Sequence, residues 1–256
     1  MKGRLSRICL TLGFLLALYP AVSGLMQSLR QAETVSTFQT ETGDLPADQV
    51  DRLLEEARAW NAARKHGEPL EKSYDQVLDL TGTGIMATLS IPAISVNLPV
   101  YHGTAEDVLS AAAGHVEFSD LPVGEPGNHA VISGHRGLPS ARLFTRLDEL
   151  KQGDRFYLDA GRESMAYEVT DIQVIEPDET EKLEPVDAQD LVSLVTCTPY
   201  GINTHRLVVT GRRTSVPPAE AAVPAASLPS VRELLILMSP AGFVLAAAYL
   251  CKRKEK

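Results

Sequence analysis

Two charge-free apolar stretches bracket this 256-residue chain, and they limit what everything between them can be. The first, Ile8 to Met26, is 19 residues long and includes Leu10, Leu12, Phe14, Leu15, Leu16, Leu18 and Val22. At about 1.5 Å per residue a helix of this length matches a hydrocarbon layer of about 30 Å. Lys2, Arg4 and Arg7 precede it, and a positive flank is retained on the cytoplasmic side, so the residues that follow are sent across. A cleaved export signal shares this basic start and apolar centre, with small residues at Ala21-Val22-Ser23-Gly24. The second segment, 233–250, holds the uncharged run Leu234 to Leu250, interrupted by Ser239-Pro240 and Gly242. A buried core helix is the ordinary reading of so short a run. Its flanks favour a final membrane span: a proline-rich tract precedes it, and Lys252-Arg253-Lys254-Glu255-Lys256 follows.

The expected organisation is therefore a basic end at 1–7, an anchor or signal at 8–26, a stalk and helix at 27–83, a main domain at 84–213, a Pro/Ala-rich tether at 214–232, a transmembrane helix at 233–250 and a basic cytoplasmic tail at 251–256. With both spans retained, both termini are cytoplasmic and roughly 200 residues lie outside. The formal charge is −9, but the basic ends mask the domain between them, where 17 basic residues face 32 acidic ones. A polyanionic nucleic acid is a poor partner for such a surface. Of three cysteines, Cys9 and Cys251 sit in or beside the apolar segments, leaving Cys197 alone in the exported part. It has no disulfide partner there and no companions for a zinc-thiolate site, so it is either an inert buried thiol or a working one. No cofactor-binding motif and no metal site are expected.

Gln27 to Gly43 is polar and Thr/Gln-rich, a stalk leading away from the membrane. Asp48 to Lys65 carries Val50, Leu53, Leu54, Ala57 and Trp60 at helical spacing and predicts an amphipathic helix packed on the main domain. Beyond Gly84 the texture changes. Ala87–Ile91, Ile94–Tyr101, His129–Ser133, Arg155–Leu158, Met165–Val174, Leu191–Cys197 and Arg206–Gly211 are short β-branched or aromatic runs separated by Gly, Pro, Asn and Asp. Short helical stretches are expected only at Thr104–Ala113 and Ala141–Leu147. Seven such strands predict an all-β barrel or sandwich.

Cys197 ends an apolar run and is followed by Thr198-Pro199-Tyr200-Gly201, so a strand would present it at a rim. A lone cysteine is more often a small buried hydrophobe. His135 follows the run ending at Ser133 and is flanked by Gly134 and Arg136-Gly137, and an imidazole is the group that exchanges protons with a thiol and a departing amine near neutral pH. His205 is the fallback imidazole; His66 reads as a surface residue, and His102, His115 and His129 as structural. Arg206 opens the last strand, where a hairpin with the Cys197 strand would bring its cation to the thiol. Taken singly, a surface ion pair is the plainer account of Arg206.

Together these stretches resemble the sortases, and among them the class C, pilus-building sortases of Gram-positive bacteria. The resemblance runs from about Gly84 to Gly211 and rests on Leu98-Pro99-Val100-Tyr101-His102-Gly103-Thr104, Ser133-Gly134-His135-Arg136-Gly137, Leu143-Phe144-Thr145-Arg146-Leu147, Thr196-Cys197-Thr198-Pro199-Tyr200-Gly201 and Asn203-Thr204-His205-Arg206. It implies a closed eight-stranded sortase-type β-barrel with an N-terminal helical extension and two flanking transmembrane segments. It implies Cys197, His135 and Arg206 as the catalytic residues of a cysteine transpeptidase. That chemistry cleaves an LPXTG-type sorting signal between Thr and Gly through a thioacyl-enzyme and passes the acyl group to a pilin lysine, so the implied partners are pilin subunits and the lipid bilayer.

Class C sortases generally also carry a lid with an Asp-Pro-aromatic motif. The corresponding stretch here reads Glu68-Pro69-Leu70, either a variant lid in which Glu68 reaches Arg206 and Leu70 replaces the ring, or a plain loop. Rival readings are a housekeeping-type sortase that attaches proteins to a cell-wall precursor, a peptidase that delivers the acyl group to water, and a non-catalytic surface or pilus-assembly module. The last would be expected to have lost one of the three residues.

Overall fold

The computed structural model of the chain describes residues 2–138 and 141–215, together with residue 242. Two helices precede the main domain, α1 (Lys2–Asp44) and α2 (Ala47–His66). Eight strands follow: β1 (Ile85–Ile91), β2 (Val96–His102), β3 (Ala113–His115), β4 (His129–Ser133), β5 (Arg155–Ala160), β6 (Glu163–Ile175), β7 (Leu191–Thr198) and β8 (His205–Thr214). They close into a barrel in the order β1-β2-β3-β4-β7-β8-β6-β5, with parallel pairs only at β2/β3 and β4/β7. Closure leaves no unpaired sheet edge.

The expected closed barrel is thus present, with one strand more than the β-branched pattern marks. The extra strand is β3, three residues reading Ala-Gly-His, which lies where the end of a helix was expected. Tertiary pairing with β2 and β4 decides it, since Gly and Ala carry no strand preference. The helix α3 shrinks to Glu106–Leu109, and the region of Ala141–Leu147 is a run of turns leading to a 3-10 turn at Leu147–Glu149.

Strand alternation divides the apolar residues into two sets. One faces inward and fills the barrel, including Leu89, Leu98, Ile132, Phe156, Tyr167, Val192, Leu194 and Val209. The other, Val131, Ile175, Leu183, Val195 and Val208, lies on the outer face of β4, β7 and β8, beneath the connection from β6 to β7.

The stalk expected at 27–43 is instead the second half of α1, continuous with the apolar segment. Gln31, Val35, Phe38 and Thr42 are buried at spacings of four, three and four, one thin stripe along the helix. α2 is docked by polar contacts as well as by Val50, Leu54 and Ala57. Buried Asn61 donates to Leu121 O at 3.1 Å and accepts from Leu121 N at 2.8 Å. The wholly buried carboxylate of Asp120 takes Arg64 at 3.0 Å, Lys65 at 3.1 Å and the backbone N–H of His129 at 3.0 Å. The helix stops at Gly67, whose left-handed conformation (φ 67°) suits a residue without a Cβ.

Among the described residues α1 is the one helix long and apolar enough to cross a membrane. The second expected span, 233–250, and the tether from residue 216 onward lie outside the described residues, apart from residue 242.

His115 is wholly buried between helix and barrel, as a structural histidine. Tyr74 Oη lies 2.8 Å from its Nδ1 and Asp120 O lies 2.8 Å from its Nε2, the network of a neutral ring that accepts at Nδ1 and donates at Nε2. Burial holds its pKa down to about 4. The unfolded ring binds a proton near 6.5, so between these values the unfolded state binds more protons and stability falls as the pH drops. Burial lowers His129 in the same sense, whereas Asp190, pushed up to about 6 by burial, acts in the opposite one. Urea unfolding on either side of this window should therefore show a steeper acid loss in the wild type than in His115→Asn, the difference amounting to at most about 3 kcal/mol. Parallel slopes would remove His115 as the acid-sensitive group.

Candidate active site

The antiparallel pairing of β7 with β8 sets Cys197 directly opposite Arg206. Val195 and Val208 are paired two residues earlier, so thiol and guanidinium share the outer face that carries the second apolar cluster. The parallel pairing of β4 with β7 sets Ser133 beside Val195, and two residues further on the chain reaches His135 on the same side. A single cleft of about 270 Å³ takes in Cys197, His135 and Arg206, with Val131, Val195, Ile175 and Leu183 as its apolar floor and wall.

The connection from β4 to His135 is pinned at both backbone groups of Gly134. Its N–H donates to Val195 O at 3.1 Å, and its carbonyl accepts from Thr196 Oγ1 at 2.6 Å. A Cβ at this position would lie 2.8 Å from the ring of Phe144, so only glycine permits this close approach. His135 O in turn accepts from Phe144 N at 3.1 Å. The imidazole is thus positioned relative to β7 by backbone bonds rather than by a packed side chain.

No orienting carboxylate for His135 is evident in the sequence, because Glu106 lies 29 residues away. Its Oε2 is 3.4 Å from His135 Nε2, but its side chain is 82% exposed, so the contact is long and screened by water. Arg206 donates from Nη1 to Asn203 O at 3.3 Å and His205 O at 3.1 Å. No ion pair with a carboxylate holds it among the described residues, so its remaining N–H groups are available to a ligand. His205, the fallback imidazole, sits one residue off the Cys197/Arg206 face and is held by Glu176 at 3.1 Å and Thr204 at 2.8 Å.

Glu68, Pro69 and Leu70 are not brought to the cleft. All three are exposed, and none lines it. The capped end of α2 explains their course. Glu68 N bonds back to Ala63 O at 2.8 Å, and Lys65 holds Gly127 O and Asn128 Oδ1 at the end of β4 remote from Ser133. Lys72 then pairs with Glu56 at 2.6 Å, and its carbonyl accepts from Trp60 Nε1 at 3.3 Å, returning the segment along α2.

Sequence reasoning passed over Arg136 as a flank of His135. Its side chain is 4% exposed; Nη2 lies 2.6 Å from Asp148 and Nη1 donates to Thr198 Oγ1 at 3.1 Å, while the guanidinium lies 6.0 Å from the Tyr200 ring centre. It joins the residue after His135 to the residue after Cys197. A buried, planar, multiply bonded cation of this kind is not replaceable by an ammonium. The available signal was the Ser-Gly-His-Arg-Gly run itself, in which a charged residue follows an apolar strand.

The sortase domain model matches residues 89–214. The crystal structure of sortase C1 from Streptococcus agalactiae is 38% identical, with a TM-score of 0.68, covering 72% of this chain and 100% of that one. Sortase C-1 from Streptococcus pneumoniae is 39% identical with a TM-score of 0.66, covering 72% of this chain and 99% of that one.

The chain belongs to the sortase family, class C. Its likeness extends beyond that class: sortase A of Bacillus anthracis is 32% identical over 127 residues, 50% of this chain and 59% of that protein, and sortase D of Bacillus subtilis (strain 168) is 29% identical over 172 residues, 64% of this chain and 84% of that protein. The family match begins at residue 89, within β1, and ends at residue 214, so it covers the barrel and not α1.

If Arg136 fixes the two strand ends, Arg136→Lys should lower kcat for a sorting-signal peptide on the order of 100-fold, with a smaller change in KM, because small misplacements of reacting groups have effects of that size. The pH profile of Cys197 alkylation should shift with it. Loss of thermal stability with unchanged kcat and alkylation would reduce Arg136 to a structural ion pair.

Proposed function

We propose that this sortase is a cysteine transpeptidase that cleaves an LPXTG-type sorting signal between Thr and Gly and transfers the acyl group to a lysine amine of a pilin subunit. The observation that carries this reading is the convergence of Cys197, His135 and Arg206, from three different strand ends, on one apolar-floored cleft. One of the similar structures is described as sortase C1 of the GBS pilus island 1, and another, from Streptococcus pneumoniae, is described in terms of pilin substrate specificity. Both descriptions support pilins as the substrate class.

Each residue has a role that its chemistry suits. The Cys197 thiolate attacks the threonine carbonyl carbon, and a C–S bond forms as the carbonyl π pair moves to oxygen. Arg206, which has no carboxylate partner among the described residues, donates hydrogen bonds to that oxyanion. His135 as imidazolium gives its proton to the glycine nitrogen, so the C–N bond breaks with an amine as leaving group. The neutral lysine amine then attacks the thioester carbon, the neutral imidazole takes a proton from its nitrogen as the N–C bond forms, and the C–S bond breaks with the Cys197 thiolate as leaving group. The apolar floor formed by Val131, Val195, Ile175 and Leu183 suits the leucine and proline of the signal.

The same proposal includes the topology. Residues 8–26 and 233–250 cross the membrane, the barrel is extracytoplasmic, and both termini are cytoplasmic.

Mass spectrometry of the chain incubated with an LPXTG-type peptide should show a thioacyl adduct on Cys197 that transfers to a lysine of a pilin fragment. Cys197→Ala should give no adduct, and Arg206→Ala should slow its formation by roughly 10²–10³-fold, the cost of losing an oxyanion donor. An adduct released only to water would leave a peptidase, and no adduct at all would reject Cys197 as the nucleophile.

A further inference from the structure

α1 is one continuous helix with Pro20 inside its apolar half, so the apolar segment leads without a break into the barrel-packed half, with a proline bend before the first docking point at Gln27. In the apolar half Leu12, Phe14, Leu15, Leu16 and Leu18 are 40–74% exposed, an apolar surface that no part of the described protein covers. In the other half two docking points fix the direction of the helix along the barrel. Gln27 and Gln31 both donate to Ala111 O, at 3.2 and 2.7 Å. At the far end of the helix the carbonyls of Gly43 and Leu45 accept from Arg162, at 3.3 and 2.6 Å.

These two points belong to opposite ends of the barrel. Arg162 lies in the turn between β5 and β6, next to the pair Ala160/Glu163. From there β6 runs 13 residues to Ile175, which pairs with Arg206 beside Cys197. Ala111 lies instead at the cleft end: it leads into β3, where Gly114 pairs with Ser133, and Leu109 and Thr104 just before it line the cleft. Gln27 therefore marks the catalytic end and Asp44 the opposite end, about 26 Å away at about 1.5 Å per residue. Gln27 is also the residue that follows Met26, the last of the apolar segment.

We infer that α1 acts as an unbroken helical ruler that hangs the barrel with its catalytic mouth toward the bilayer, so that the cleft meets peptides as they leave the same membrane and favours a short spacing between the cleaved bond and the substrate's own anchor. This rests on α1 being a retained anchor, as proposed above. Charge does not account for the proximity. The catalytic end carries Glu106, Asp107, Glu176, Asp178 and Glu179, which an anionic lipid surface repels, so the helix must impose the position and salt should not relieve it. Tyr200 and Ile202, 49% and 67% exposed on the turn between β7 and β8 at this end, are side chains that tolerate an interfacial setting.

The test uses the full chain in vesicles, with the native cysteines replaced and one fluorophore placed at Asp178→Cys near the mouth or at Ser164→Cys at the far end of β6. Energy transfer to a headgroup acceptor should be stronger from position 178 than from position 164, at low and high salt. Inserting about 18 helix-forming residues after Met26, five turns and about 27 Å, should lower transfer from position 178. In the Cys197-bearing chain the same insertion should slow cleavage of a membrane-tethered substrate while leaving that of a soluble peptide unchanged. Equal transfer from the two positions, stronger transfer from 164, or no effect of the insertion would overturn the orientation. The fluorescent variants lack Cys197, so their result is independent of whether the transpeptidase reading holds.

Discussion

The parallel pairing of β4 with β7 is the constraint on which the site depends. Ser133 beside Val195 places the two strand ends level, so that His135 and Cys197 leave the sheet together although 62 positions separate them. A parallel pair needs a long crossover, and here that crossover contains β5 and β6 and returns through residues 176–190. The return segment passes over the outer face of β4, β7 and β8, and its Leu183 closes the apolar cluster there. One topological requirement thus supplies both the alignment of thiol and imidazole and the wall of the groove beside them.

The two apolar clusters have different energetic meanings. The inner one stabilises the barrel by removing large side chains such as Phe156, Tyr167 and Leu158 from water. The outer one is small, and an apolar surface that remains next to a cleft is available to a ligand's side chains. The polar contacts divide in a similar way. Asn61, Asp120 and His115 are buried and bonded on all sides, which fixes α2 and the segment after it against the barrel. Among the described residues Arg206 is held only by backbone carbonyls, and a cation held so loosely retains donors for a charge that develops later.

Much of this was legible in the sequence because burial imposes periodicity. Seven strands and α2 were visible from alternation and helical spacing, and Cys197, His135 and Arg206 could be picked out as candidates at the ends of apolar runs, although only the resemblance to the sortases joined them into one site. What the sequence hid follows from the same rule. β3 is Ala-Gly-His, formed by its neighbours rather than by its own preference. The second half of α1 buries Gln31 and Thr42 alongside Val35 and Phe38, so the stripe is half polar and reads as a stalk. Arg136 and Glu106 belong to the site through contacts across 62 and 29 positions, which no local pattern records.

The fate of Glu68-Pro69-Leu70 shows how one local choice alters the site. Two cations in the last turn of α2 are committed to a single buried carboxylate, Asp120, and breaking such a buried pair would be costly. The residues that follow must start from that end of β4, and the Lys72 pair with Glu56 turns them back along the helix. These bonds run along α2 and away from Arg206, and Glu68, Pro69 and Leu70 do not line the cleft. Beside the apolar floor that suits the signal's side chains, substrate choice then depends on where the cleft is held, which in the proposal above follows from the direction in which α1 meets the barrel.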